Sequence, residues 1–279
     1  NAIGLAGNFA AATMQFSVDG TWSKKLHPGW GAHAGLYALR FAAEGYIASP
    51  EIFEGPQGLF MSHIGTADSL KETFSDLGSR WLTREIAFKF YPVCHMMHSH
   101  LDLLLRLIET EHIESDDIHE ILAVLYPRAA DIIGLPPEKK KYPANDYLMR
   151  FSIQYSLAMA ALTGRLSMRE IDMNYLKQDR VRQMIERVQV KVDPAVDVEG
   201  HFPGSLVVTL KNGCVFELNQ KYETGCPENP AEKKDVLRKY YANMDGVVPR
   251  ARADELIATI DRFEKLSNVI NLLPLLQVQ

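Results

Sequence analysis

Cysteine is scarce in this chain. There are three, Cys94, Cys214 and Cys226, and no two stand in a Cys-x-x-Cys pair. An odd, sparse set argues against a disulfide framework and a cysteine-built zinc site, and predicts reduced thiols in an intracellular protein. Positive charge is short as well. The net charge is −5, whereas a general nucleic-acid binder needs a basic face. No apolar run is long enough to span a membrane. The opening "NAIGLAGNFAAATMQF" lacks a basic n-region and soon meets Asp19, Lys24 and Lys25, so it does not read as a signal peptide. It lacks an initial Met too, and resembles the middle of a buried helix, as in a chain whose beginning lies elsewhere. Also missing are a dinucleotide GxGxxG, a P-loop, a zincin HExxH and a GxSxG elbow.

What is present is apolar enough to fold. The 279 residues are 47% hydrophobic, which allows one large or two ordinary domains. Residues 1–85 read as helical. Small residues over 1–13 predict close packing. "GAHAGLYALRFAAEG" sets Leu36, Leu39 and Ala43 at helical spacing and stops at Gly45. "TADSLKETFSDLG" predicts a helix from Thr66 to a stop at Gly78.

The character changes near residue 85. "EIAFKFYP" is strand-compatible, and "HMMHSHLDLLLRLIE" is a helix with Met97, Leu101, Leu104, Leu105 and Ile108 on one face. "IHEILAVLYP" predicts a strand and "FSIQYSLAMAALTG" a buried helix. Ser167 and Glu170 stand in capping-box spacing. "VQVKVD" alternates, and "LVVTLKNGCVFEL" predicts a hairpin about Asn212-Gly213. Beyond Gly225, Asn229 is the expected N-cap of a helix over "NPAEKKDVLRKYYANM", and "RADELIATIDRFEKLSNVINLL" a final amphipathic helix. The expected fold is α+β: a mainly helical domain over 1–85 and 223–279, interrupted at 86–222 by a smaller α+β lid with an antiparallel sheet.

Two clusters carry chemistry. "SKKLHPGWGAHAG" gathers Lys24, Lys25 and His27 before Gly29, Gly31 and Gly35. The bland reading is a solvated loop. The functional reading is an anion clamp, in which lysines supply charge and glycines let a following helix start close to a carboxylate. "KFYPVCHMMHSH" holds Lys89, His95, His98 and His100. His95 and His98 share a helix face while His100 points elsewhere, so a metal site is the lesser reading and an acid/base histidine or simple packing the alternatives. Lys89 sits in an apolar run, where its ammonium points outward or meets an anion. Tyr155 on its pattern alone is a core tyrosine, and Cys94 an inert small hydrophobe.

Four segments in order resemble the MmgE/PrpD family, whose members include 2-methylcitrate dehydratase, cis-aconitate decarboxylase and iminodisuccinate epimerase. They are "GTWSKKLHPGWGAHAGLYALRFAAEGY" with "FEGPQGLF", "FKFYPVCHMMHSHLD", "RFSIQYSLAMAALTGRLS" and "LKNGCVFELNQKYETGCPENP". The resemblance implies a helical domain split by an α+β lid, and a homodimer that works without cofactor, metal or nucleotide. It implies a further helical portion ahead of the position of Asn1, contributing an aspartate and histidines to the active site. It places active-site lysines at Lys24 and Lys89, a histidine at His98 and a tyrosine at Tyr155, with His27 beside Lys24 on the substrate. It transfers no role to Lys25 or His95.

The expected activity is therefore a lyase on a small di- or tricarboxylic acid, acting by proton abstraction next to a carboxylate, with 2-methylcitrate dehydration as prototype. Epimerisation of an amino-dicarboxylate and decarboxylation of cis-aconitate are rivals within the family. A truncated, non-catalytic homologue and a metalloenzyme using His95 and His98 are rivals outside it. The expected location is the cytoplasm, or the mitochondrial matrix in a eukaryote, with no nucleic-acid or membrane partner.

Overall fold

The computed structural model describes residues 1–68 and 70–277. The chain divides into two compact units, Asn1–Arg84 and Glu85–Gln279, and each is described by itself.

In the first unit, α1 (Ala2–Asn8) packs against α2 (Ser23–Ala43) and the segment that follows α2. The small residues are there for contact. A Cβ on Gly4 would lie 2.6 Å from the Ser49 carbonyl oxygen, so a side chain at this point would force the two segments apart. Helix α2 differs from expectation at both ends of its pattern. It begins at Ser23, so Lys24, Lys25 and His27 lie inside its first turns rather than in a loop before it. Gly29, Gly31 and Gly35 are helical too, and a Cβ on each would meet no atom within 4 Å. They open no close approach to a helix start. The buried face of α2 is Ala34 and Ala38, whereas Leu36 and Leu39 are exposed. Of the helix expected from Thr66 to Gly78, Ser69 lies outside the described residues. Leu70–Thr73 forms a single helical turn, and Gly78 is left-handed with φ 82°.

The second unit is built on a four-stranded sheet. Helix α3 (His98–Glu111) leads to β1 (Ile118–Leu125), and α4 (Ile153–Thr163) and α5 (Asp179–Glu186) precede β2 (Val188–Val192). The hairpin β3 (Gly204–Leu210) and β4 (Val215–Gln220) follows, turning at Asn212-Gly213 as the pattern predicts. The order is β2-β1-β3-β4. β1 pairs antiparallel with β3, and β3 with β4, but β1 pairs parallel with β2. The sheet is therefore mixed, not antiparallel as expected. The physical reason is the connection: α4 and α5 carry the chain across between β1 and β2, and such a crossover returns the second strand in the same direction.

The core lies where α3 and α4 cover the sheet. Leu101, Leu104, Ile121, Ala123, Leu157, Leu206 and Val208 are buried in one cluster. Each buried Leu or Val contributes roughly 1.5–3 kcal/mol relative to exposure. The first turn of α3 is pinned tightly. A Cβ on Gly204 would meet the Ser99 backbone at 2.7 Å, and Ser99 Oγ donates to the Phe202 carbonyl at 2.6 Å. Only a glycine at the start of β3 permits this approach.

Other expectations shift locally. Residues 86–91 form no strand; the Phe88 N–H donates instead to the Gly225 carbonyl at 3.0 Å. The Ser167–Glu170 capping box is present, but it opens a short 3-10 turn rather than a long helix. Asn229 belongs to a tight turn with Cys226, and Glu232 is the true N-cap of α6 (Lys233–Met244), boxed with Asp235. Helix α7 (Arg250–Ile260) gives way to 3-10 turns and a final short helix, Leu273–Leu276.

Candidate active site

In the first unit the cations stack at the positive end of α2. Lys24 and His27, one turn apart, both lie against the buried ring of Phe16: the Lys24 ammonium is 5.7 Å from its centroid and the His27 ring 5.5 Å. Lys25 lies over Trp22 at 4.4 Å. The first turn of α2 has no acidic residue and no side-chain cap. Lysines at a helix N-terminus oppose the helix dipole, so this arrangement costs stability. It concentrates positive potential at the helix N-terminus, which is what an anion requires.

In the second unit the first turns of α3 assemble rings. His95, in a 3-10 turn that runs into α3, faces His98 with centroids 4.7 Å apart. Phe202 covers His95 at 4.8 Å and Tyr91 meets His98 edge-on at 5.1 Å. His98 is 1% exposed. Its basicity is pushed down to about 3, first by burial, then by His95 and Lys89. The Val93 carbonyl favours the protonated ring, yet neither ring nitrogen has a well-formed hydrogen bond among the described residues. His95 is lowered by burial and Lys89, with Glu223 opposing. Burial disfavours the protonated form of both rings.

Lys89 is exposed at the rim, and its backbone carbonyl accepts from the Lys239 ammonium. Tyr91 donates to Asp102 at 2.6 Å, and burial with that carboxylate keeps its phenol protonated. His100 does point elsewhere: its Nε2 donates to the Val124 carbonyl at 3.1 Å, and burial lowers it to about 4.

Tyr155 does not share this surface. Its side chain is completely buried in the core, and its hydroxyl donates to the Glu170 carbonyl. The structure thus brings Lys24 and His27 together in one unit, and Lys89 and His98 in the other, while the Tyr155 side chain lies in the core of the second unit. Sequence reasoning left His95 without a role and passed over Tyr91, Asp102 and Phe202. The His-x-x-His spacing was the available signal for His95; Phe202 comes from a distant loop and gave none. Two open concavities, of about 360 Å³ around Leu59, Phe60 and His63 and about 370 Å³ around His112, Glu114 and Arg180, hold none of these side chains.

Comparison with known proteins shows the family. Residues 1–71 match the MmgE/PrpD N-terminal domain and residues 91–265 the MmgE/PrpD C-terminal domain. Cis-aconitate decarboxylase of Mus musculus is 23% identical over 279 residues, covering 96% of this chain and 54% of the mouse protein. Cis-aconitate decarboxylase of Aspergillus terreus strain NIH 2624 / FGSC A1156 is 22% identical, covering 99% of this chain and 59% of its own. The chain thus spans a little over half the length of these relatives. With both family domains matched over most of its residues, the chain belongs to the MmgE/PrpD family.

Proposed function

We propose that this chain handles the substrate of a lyase acting on a small di- or tricarboxylic acid, by moving a proton on carbon next to a carboxylate. The observation that carries the reading is the buried imidazole of His98, its basicity lowered first by burial and then by His95 and Lys89. A substrate carboxylate drawn to Lys89 offsets that smaller part of the depression, and His98 is the group placed to take or return the proton. Negative charge spreads toward the carboxylate as the proton or CO2 leaves. A fixed lysine beside it stabilises that charge without reorganising. Lys24 and His27, on the positive end of α2, are the first unit's own candidate contact for a carboxylate in this reading.

Tyr155, expected as a proton carrier, is reassigned to support of the fold, because its hydroxyl is already paired in the core. Dehydration of a 2-methylcitrate-like acid is the expectation carried from the sequence; the names of the relatives add decarboxylation of a cis-aconitate-like acid. Dehydration takes a proton from carbon as water leaves and decarboxylation returns one as CO2 leaves, so both need an acid/base group beside a carboxylate. The homodimer belongs to the same proposal, and light scattering coupled to gel filtration checks it. No helix among the described residues is long and apolar enough to cross a membrane.

The test is proton exchange followed by NMR in D2O. The protein is incubated with 2-methylcitrate, citrate, cis-aconitate and several amino- and hydroxy-dicarboxylates. Deuterium should enter at carbon next to a carboxylate of one class, and His98→Gln should slow it by about 10²- to 10⁴-fold. Exchange at the wild-type rate in His98→Gln and Lys89→Ala would remove both residues from the mechanism.

A further inference from the structure

Outside the His98 cluster, one group of side chains has no part in the proposed reaction. A ring nitrogen of His201, a carboxylate oxygen of Glu223 and the sulfur of Cys226 lie within 4.8 Å of one another. Glu223 is 2% exposed and Cys226 3%. They come from two loops: His201 lies just before β3, while Glu223 and Cys226 lie just after β4.

The polar groups here are unevenly matched. Burying a carboxylate is costly without a cation. Among the ion pairs of the described residues, Glu223 meets only His201, whose Nδ1 is 3.5 Å away. That nitrogen is itself buried and makes no hydrogen bond among the described residues. Glu223 accepts one backbone hydrogen bond, from Phe202 at 3.0 Å. On the other side of the ring, Nε2 lies 3.8 Å from the Glu228 carboxylate. The sulfur lies in the tight turn that Cys226-Pro227-Glu228-Asn229 makes, closed by the Asn229 N–H on the Cys226 carbonyl at 3.2 Å.

We propose that His201, Glu223 and Cys226 form a binding site for a divalent transition ion of the zinc type. One nitrogen, one oxygen and one sulfur donor suit such an ion, and water completes the fourth position. Glu228 then occupies the place of the carboxylate that orients a ligating histidine through its far nitrogen. With bonds of about 2.0–2.3 Å, donors in a tetrahedral site stand roughly 3.5 Å apart. The cluster must draw in by about an ångström at its widest, and the His201 side chain, 19% exposed, is the one able to move. The ion would tie the loop before β3 to the turn after β4. It would sit behind Phe202, next to His201 in sequence, which covers His95. Its role is thus to hold one wall of the His95–His98 cluster.

Cobalt(II) is the probe, because its spectrum reports both geometry and thiolate ligation. The protein is stripped with a chelator and titrated with Co²⁺, then with Zn²⁺. The expected result is one equivalent bound, with intense visible bands of a tetrahedral site and a thiolate-to-cobalt charge-transfer band that zinc abolishes. Cys226→Ser should lose the charge-transfer band. Glu223→Gln and His201→Ala should each weaken binding at least about tenfold, while Cys214→Ser, at an exposed thiol, should change nothing. Circular dichroism follows folding. Should Cys226→Ser misfold, the wild-type spectrum and the near-isosteric Glu223→Gln decide. Wild-type protein with no charge-transfer band, or a band that survives Cys226→Ser, overturns the site.

Discussion

At Tyr155 a residue's type and its position pull in different directions. A tyrosine amid "FSIQYSLAMAA" is a core residue by pattern and a catalytic one by family resemblance. Its hydroxyl donates to the Glu170 carbonyl, and its ring has no exposed surface. Tyr155→Phe leaves that buried acceptor unpaired, so it should cost about 1–3 kcal/mol of stability with turnover nearly unchanged; urea unfolding and a rate measurement together check this. Loss of turnover at full stability would restore the catalytic role. His98 is the reverse case. It stands in the first turn of a helix among hydrophobic residues, and its surroundings, more than its sequence neighbours, make it neutral. The HxxH spacing showed that His95 and His98 face one way. It could not show that Lys89 would lower them both, since that is a matter of distance in space.

Among the elements, α2 is the one that breaks a local rule. Its first turn carries lysines where acidic residues are favourable. Lys24→Ala removes a repulsion from the helix dipole, so stability should hold or rise by about 0.3–1 kcal/mol while the proposed substrate binds more weakly. Thermal melts and substrate titration separate the two effects. A loss of both would mean that Lys24 is structural. The cations themselves were legible in "SKKLHPGWGAHAG". The helix start was misplaced because Pro28 and the glycines are strong breakers in isolation, whereas in the fold Ala34 and Ala38 are buried and α1 packs alongside. Elsewhere local signals sufficed. The Asn212-Gly213 hairpin and the Ser167–Glu170 capping box are set by residues a few positions apart. The N-cap of α6 moved from Asn229 to Glu232 because Asn229 is held instead by the turn at Cys226, with its side chain on the Tyr222 carbonyl at 3.1 Å.

Over the whole molecule the buried histidines make stability depend on acidity. His98 and His100 have basicities lowered from 6.5 to about 3 and about 4. Unfolding releases them to bind protons, so the unfolded state holds more protons below the unfolded value. Stability should then fall as pH drops through the window from 6.5 toward 3–4, and be fully present above it. Each unit of pH costs up to roughly 1.4 kcal/mol per histidine. Urea unfolding at pH 7 and at pH 5 should show this loss, and His100→Gln should flatten the slope by about half. A slope that is the same in His98→Gln and His100→Gln as in wild type would mean that neither histidine is held neutral.

By itself the sequence determined the α+β class, the change of character near residue 85, the amphipathic helix α3, the hairpin and the family to which the chain belongs. Each is written in neighbouring residues: spacing along a helix, alternation along a strand, a turn dipeptide, or motifs in order. Only the tertiary structure decided the parallel pairing of β1 with β2, the helical setting of Lys24 and His27, the burial of the Tyr155 hydroxyl and the meeting of His201 with Glu223 and Cys226. These depend on which distant segments pack together. Packing is set by the summed burial of many side chains, and no local pattern records its outcome.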